Sequence, residues 1–389
     1  MNMTNWKTYK LCEVANLSTG FPFDGQKYTK EGLRVVRGDN ITIGALRWDA
    51  DKDKRWNETF SRAKEFSLQE GDIVIGMDGS RVGRNRAQIK VSDLPLLLAQ
   101  RVACIRHNSQ TLQKFLYYQI FSNRFENYIK SVHTGTSIPH VSLKQIGDFS
   151  FQVPDLFTQQ RITNILSALD DKIELNHRIN KNLEQQAQAL FKSWFVDFEP
   201  FQDGKFVNSE LGMIPERWKA GNLEELVEVK YGKDHKKLAS GTIPVYGSGG
   251  IMRYVDQYLY NEESVLIPRK GSLNNVMYVN HPFWTVDTMF YTHMKIEGIA
   301  KFIYLLISPK DLLSMNSGSA VPSMTVDILN KIAVIIPPTT ILQQFESIVK
   351  PLFIMAESLQ KENYRLAHLR DTLLPKLMSG ELKINDLSI

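Results

Sequence analysis

Apolar and small side chains recur at steps of three and four between Pro154 and Pro200. They fall at Ile162, Leu166, Leu169, Ile173, Leu183, Ala187, Leu190 and Trp194, with Asn176 and Asn180 in the two middle places. This is a heptad stripe on one long helix, predicted from about Thr158 to Phe198 and bounded by proline on both sides. Such a helix runs about 60 Å at ~1.5 Å per residue. It cannot bury its stripe against itself. The segment from Ile341 offers a partner stripe at Phe345, Ile348, Leu352, Met355, Leu359, Glu362, Leu366, Leu369 and Leu373, again with one polar place near its middle. Pro351 sits in its first turns, placed to kink or delay the helix. Two stripes that face each other in this order make an antiparallel pair. One globular domain then lies at each end, about a pseudo-two-fold axis, and both termini return to one end.

The chain repeats itself weakly. Trp6, Lys7, Leu11, Glu13 and Gly20 match Trp218, Lys219, Leu223, Glu225 and Gly232 without a gap. Gly135, Pro139, Ile146 and Pro154 match Gly318, Pro322, Leu329 and Pro337, again without a gap. Gln159-Gln160 and Gln343-Gln344 then each open a long helix. One period of roughly 200 residues is a tandem duplication rather than a solenoid. The predicted division is a first domain over 1–157, a central helix over 158–200, a linker over 201–217, a second domain over 218–340, and a C-terminal helix and tail over 341–389. The linker is turn-rich from Gly204 to Pro215.

Within each globular unit, strand and turn signals dominate. The runs 34–44, 71–77, 96–106 and 149–153 in the first unit are apolar or β-branched and broken by Gly and Asp. In the second unit the corresponding runs are 243–255, 264–272, 276–280 and 331–337. One helix per unit is expected, over 112–129 and 298–313. The fold class is therefore α+β: two globular domains separated by a pair of long antiparallel coiled-coil helices, internally duplicated.

Composition narrows the chemistry. The 389 residues exceed one ordinary core, and 43% hydrophobic with 23% charged content is that of a globular chain. A net charge of +5 and a pI near 8.9 permit a polyanionic partner. Cys12 and Cys104 suit a reducing compartment and have no metal-ligand spacing. There is no 18-residue apolar run and no signal-peptide pattern, so a cytoplasmic location is expected.

No catalytic motif is present: no Walker phosphate loop, His-Glu-x-x-His, Cys-x-x-Cys or Gly-x-Ser-x-Gly, and no methyltransferase or nuclease signature. The glycine-rich 247–250 segment reads as a turn, and Asp170 and Asp171 as helix surface. Basic residues instead gather in equivalent loops. Ser80, Arg81, Arg84 and Arg86 follow one apolar strand; Arg269, Lys270 and Ser272 follow its counterpart, with Gly79-Ser80 aligned to Gly271-Ser272. Arg37 to Asn40 is set against Tyr246 to Gly249, which brings in Ser248. Thr136 and Ser137 are set against Ser319. Lys233, Lys236 and Lys237 add charge at the start of the second domain. Arg, Asn and Gln read base edges, while Lys, Ser, Thr and backbone amides hold phosphates. These residues are the candidate DNA contacts; no catalytic or metal-binding residue is expected.

The arrangement of domain, helix, domain, helix resembles the specificity subunit of type I restriction-modification systems. The matching pieces are residues 135–162, 169–201 and 211–218, then 317–338 with the C-terminal 373–382, so the likeness spans essentially the whole chain. It implies that each globular unit is a target-recognition domain for one half of a bipartite DNA site. The helix pair would space the half-sites, about one DNA turn or ~34 Å being the natural distance, and dock methylation subunits, with Trp194 and Phe195 as helix-receiving residues. The resemblance further implies a non-catalytic subunit that binds no cofactor of its own. S-adenosylmethionine, ATP and Mg2+ would serve two methylation subunits and the restriction subunits. The competing class is a two-domain DNA-binding scaffold or regulator outside restriction.

Overall fold

A computed structural model describes residues 6–57, 63–135, 139–315 and 322–382. The chain divides into two units: Met1–Glu174 with Asn363–Ile389, and Leu175–Glu362. Each takes a globular part and a stretch of both long helices, Leu156–Phe195 and Thr339–Ser379.

The first unit holds three small sheets. The four-stranded one runs Ala15–Thr19, Val102–His107, Ile73–Gly76, Arg86–Gln88, antiparallel throughout. In the three-stranded one, Leu33–Val36 pairs antiparallel with Arg55–Trp56 and parallel with Leu96–Leu98. Lys7–Lys10 pairs with Ser150–Val153. Both faces of the larger sheet are buried, and the two-residue period divides them. Ile73, Ile75, Ala103 and Ile105 meet the helical layer of Phe115, Phe125, Ile129, Ile162 and Leu166. Val74, Val102 and Cys104 meet Val36, Leu96 and Leu98 of the second sheet.

The second unit repeats this topology strand for strand. Its four-stranded order is Val227–Tyr231, Met289–Met294, Ser264–Pro268, Met277–Val279. Ser240–Gly247 pairs antiparallel with Gly250–Val255 and parallel with Trp284–Thr285, and Lys219–Asn222 pairs with Ala333–Ile336. The duplication is thus one of topology as well as of sequence. Gly20 and Gly232 mark it: a Cβ on either would collide with a carbonyl, that of Leu98 or of Val286, where the chain crosses beneath the parallel strand.

Several boundaries differ from expectation. The 96–106 run is two strands in different sheets, turning at Gln100-Arg101. The 112–129 helix is two, Gln113–Ile120 and Asn123–Val132, because the Ser122 hydroxyl accepts from the Phe125 amide at 3.2 Å and starts a new helix. The second-unit helix is shorter than expected, Ala300–Ile307. The linker contains a hairpin, Phe206–Ser209 with Gly212–Pro215, that buries Ile214. The central helix stops at Phe195. Phe198, at φ 54, turns into an aromatic cluster with Trp218 at 5.5 Å.

The seam of the central helix follows the predicted stripe and starts one step earlier, at buried Gln159. That of the C-terminal helix is shifted. Leu342, Phe345, Val349, Leu352, Ala356, Leu359, Asn363, Leu366, Arg370, Leu373 and Leu377 form an unbroken three-four repeat of buried or half-buried residues. Ile348, Met355 and Leu369 lie off it and are exposed. The helix begins at Thr339 and runs through Pro351, whose side chain is exposed and whose missing N–H removes one backbone bond without ending it.

In the first unit the helix segments run antiparallel: Ile162 and Leu166 cluster with Leu377, and Arg370 Nη1 donates to Asp170 Oδ1 at 2.8 Å. Antiparallel packing recurs in the second, where buried Asn176 donates to Glu362 Oε2 at 2.8 Å and Phe191 meets Phe345 with ring centres 6.2 Å apart. Trp194 and Phe195, expected to face a partner, pack into the second unit's own core beside Phe345.

Lys301 ties that globular part to the C-terminal helix. Its Nζ donates to Glu263 Oε1 at 2.9 Å and Glu346 Oε1 at 2.7 Å, and sits 5.1 Å from the Tyr278 ring centre. Burial pushes the Glu346 carboxyl up, and Lys301 opposes it. Lys301→Ala strands that carboxylate and should lower the unfolding free energy by about 3–5 kcal/mol, with a smaller loss for Lys301→Met. Equal urea midpoints for wild type and K301A would contradict this.

Candidate nucleic-acid interface

In each unit, four chain segments converge where the sheets end: the segments after the first strand of the larger sheet, after the central strand of the smaller one, at the corner between the sheets, and after the apolar strand. In the first unit they line a cleft with Arg37, Arg47, Arg81 and Arg101, together with Asn85 and Gln100, over a floor of Phe21, Phe23 and Tyr28. The matching cleft of the second unit is lined by Asp234, His235, Lys236, Ser248, Asp287 and Thr288 among others.

Hydrogen bonds fix the correspondence between the two. Phe21 N donates to Leu98 O as Lys233 N does to Thr285 O; Ala99 N donates to Val36 O as Val286 N does to Tyr246 O. Val36 therefore corresponds to Tyr246, and Arg37 to Gly247, one residue away from the alignment expected above.

The candidate residues divide by environment. Arg81 and Ser80 are exposed on the turn that follows Gly79 and line the cleft. Arg37 is half-buried with its guanidinium 5.7 Å from the Tyr28 ring centre. Asn40 is enclosed instead: its amide donates to Arg47 O at 3.2 Å and Lys52 O at 3.0 Å, so it holds the loop from within. Arg86 is likewise buried, donating to the carbonyls of Gly83 and Phe121. Both are scaffold, and the expectation that they touch DNA is corrected by their burial. Arg84 is exposed and its Nε donates to Glu126 Oε1 at 2.7 Å. Lys130 and Arg84 hold that carboxyl below the usual carboxylate range against the opposing effect of burial.

In the second unit Lys236 and Ser248 line the cleft, and Lys233, Lys237, Lys270 and Ser272 are exposed around it. Arg269 stacks 5.3 Å from the Tyr231 ring centre and donates to Asp287 O at 3.2 Å. Thr136, Ser137 and Ser319 lie outside the described residues.

Sequence reading missed Arg47, Asn85, Gln100 and Arg101 in the first cleft, and Asp287 and Thr288 in the second. A signal existed for one pair: Gln100-Arg101 is the polar interruption of an otherwise apolar run. Among the described residues no helix is long and apolar enough to cross a membrane.

Two copies of one α+β topology, each with a cleft lined by loops at the end of its sheets, define a duplicated module. A family model described as "Type I restriction modification DNA specificity domain" matches residues 3–185 and 215–366. The chain belongs to this type I restriction-modification DNA specificity family.

The chain is 28% identical over 354 residues to the MjaIX type I restriction enzyme specificity subunit of Methanocaldococcus jannaschii, covering 83% of this chain and 82% of that protein. It is 25% identical to the HindI specificity subunit of Haemophilus influenzae, covering 98% and 100%. Its fold matches the crystal structure of the S subunit from M. genitalium at a TM-score of 0.59, with 20% identity and 97% of each chain covered.

Arg81→Ala and Arg269→Ala should each weaken duplex binding and flatten the dependence of log affinity on log salt by about one unit. Anisotropy titrations at several salt concentrations measure both. Unchanged affinity and slope in both variants would remove these residues from the interface.

Proposed function

We propose that this chain is the DNA-recognition subunit of a type I restriction-modification complex, with each globular unit reading one half of a bipartite site. The observation that carries this reading is the recurrence of the same loop cluster, with cationic side chains, on two copies of one topology in a chain of this family. Arginine forks, lysines and glycine turns are the groups that meet base edges and phosphates.

The subunit is non-catalytic in this reading. It docks two methylation subunits, which supply S-adenosylmethionine chemistry, and restriction subunits, which use ATP and Mg2+. The names of the MjaIX and HindI proteins as specificity subunits of restriction enzymes support such an assembly. Exposed apolar side chains along the C-terminal helix, Ile348, Ile354, Met355 and Leu369, support a protein partner on its outer face. They replace Trp194 and Phe195 in that role.

Methylation mapping tests the proposal. A host carrying this chain with its modification subunit should methylate an asymmetric bipartite motif that vanishes when this chain is deleted. No such motif, with an active modification subunit demonstrated, would favour a DNA-binding scaffold outside restriction.

A further inference from the structure

We propose that the two residues at the corner between the sheets, Gln100-Arg101 in the first unit and Asp287-Thr288 in the second, are base-reading elements of the two half-sites. In this assignment Arg101 reads a guanine, and Asp287 reads a base that offers an exocyclic amine, cytosine by preference. The inference rests on the DNA-recognition reading above and specifies which side chains within the clefts set sequence.

The corner presents two side chains. In the first unit the Val102 amide donates to the Ala99 carbonyl at 3.1 Å, and the Ala99 amide is tied to Val36 O at 3.0 Å. The second unit repeats both bonds: Met289 N to Val286 O at 2.9 Å, and Val286 N to Tyr246 O at 3.1 Å. Each is a four-residue turn closed from its first to its fourth member. Its ends are fixed in buried sheets. Its two central residues are Gln100-Arg101 or Asp287-Thr288, and all four line their clefts. A reader on a rigid turn loses little conformational freedom on binding.

Arg101 is held ready. Its Nη1 donates to Asp78 Oδ2 at 2.9 Å, and the other oxygen of Asp78 meets His140 Nδ1 at 2.6 Å. Burial pushes the Asp78 carboxyl up, but the hydrogen bonds from Arg101 and His140 outweigh it and keep it below the usual range. The Arg101 side chain is nonetheless 71% exposed. With Nη1 bound to Asp78, Nε and Nη2 make no other hydrogen bond among the described residues and remain as a planar two-donor fork. Two donors in that geometry match the O6 and N7 acceptors of guanine.

The second unit changes the chemistry at each equivalent position. Asp78 becomes Lys270 and His140 becomes Ser323, as the matching bridges Asp78–His140 and Lys270–Ser323 require. Arg101 becomes Thr288 and Gln100 becomes Asp287. Asp287 is exposed. A free carboxylate repels phosphates, so in a DNA-facing cleft its favourable place is against an amine on a base edge, and cytosine N4 is the usual partner. The donor at one corner and the acceptor at the other give the two units different preferences on one scaffold.

Methylation mapping of complexes carrying Arg101→Lys, Arg101→Ala and Asp287→Asn tests the assignment. The Arg101 variants should relax one guanine position in a single half-site, reducing discrimination there by roughly ten- to a hundredfold for R101A and less for R101K, with the other half-site unchanged. D287N should relax one position of the opposite half-site. Three results would overturn the proposal. One is a wild-type motif whose first-unit half-site contains no guanine. Another is an R101A complex that weakens on all sequences alike, with its salt slope reduced by about one, which marks a phosphate contact. The third is full discrimination retained in both R101K and D287N. A wild-type complex that directs no motif at all would instead defeat the underlying recognition reading.

Discussion

Neither long helix can shelter its own apolar stripe, and part of each unit's core is built on the solution to that problem. Each three-four repeat finds cover in the other: Ile162 and Leu166 beside Leu377, Phe191 beside Phe345. Apolar seams alone specify register poorly, since Leu on Leu is nearly the same one heptad along. The polar places supply register. Asn176 to Glu362 and Asp170 to Arg370 each satisfy partly or wholly enclosed groups at one alignment only. Slipping by one step would break both of these bonds where water is scarce.

The globular units obey a second constraint, imposed by backbone proximity. In both, the segment after the first strand runs close beneath the parallel strand, where only glycine fits, at Gly20 and at Gly232. That crossing, with the buried two-faced sheet behind it, fixes where the loops emerge. The sequence between these fixed points is free to differ. It does: arginines and a Gln-Arg corner in one unit, lysine, histidine and an Asp-Thr corner in the other. A scaffold held constant by packing, with exchangeable side chains at its rim, is suited to reading one nucleic-acid sequence per unit.

Much of this was legible in the chain. The duplication, the α+β class and the central-helix stripe follow from spacing alone, because periods of three and four and ungapped matches survive folding intact. The C-terminal stripe was read correctly at Phe345, Leu352, Leu359, Leu366 and Leu373, and its polar place Glu362 meets Asn176, but Ile348, Met355 and Leu369 were misplaced on it. Its true seam contains Ala356, Asn363 and Arg370, which are less apolar than the exposed Ile348, Met355 and Leu369, so hydrophobicity pointed to the wrong side. Candidate loops were located by repetition, yet their residues were not sorted by burial. Arg86 and Asn40 have the chemistry of DNA contacts and the environment of core polar groups, a distinction that only tertiary packing makes. The corner residues were hidden for a related reason: an eleven-residue apolar run with a polar pair inside reads as one long strand until two sheets compete for its halves.

The central claim is that equivalent loops of the two units meet opposite half-sites of one DNA target. Site-specific photocrosslinking from Ser80 and Ser272, equivalent and both exposed, measures it most directly. With the assembled complex on its mapped target, a photoreactive residue at position 80 should label one half-site and one at position 272 the other. Labelling of the same half-site from both positions, or only of flanking DNA, would contradict the account.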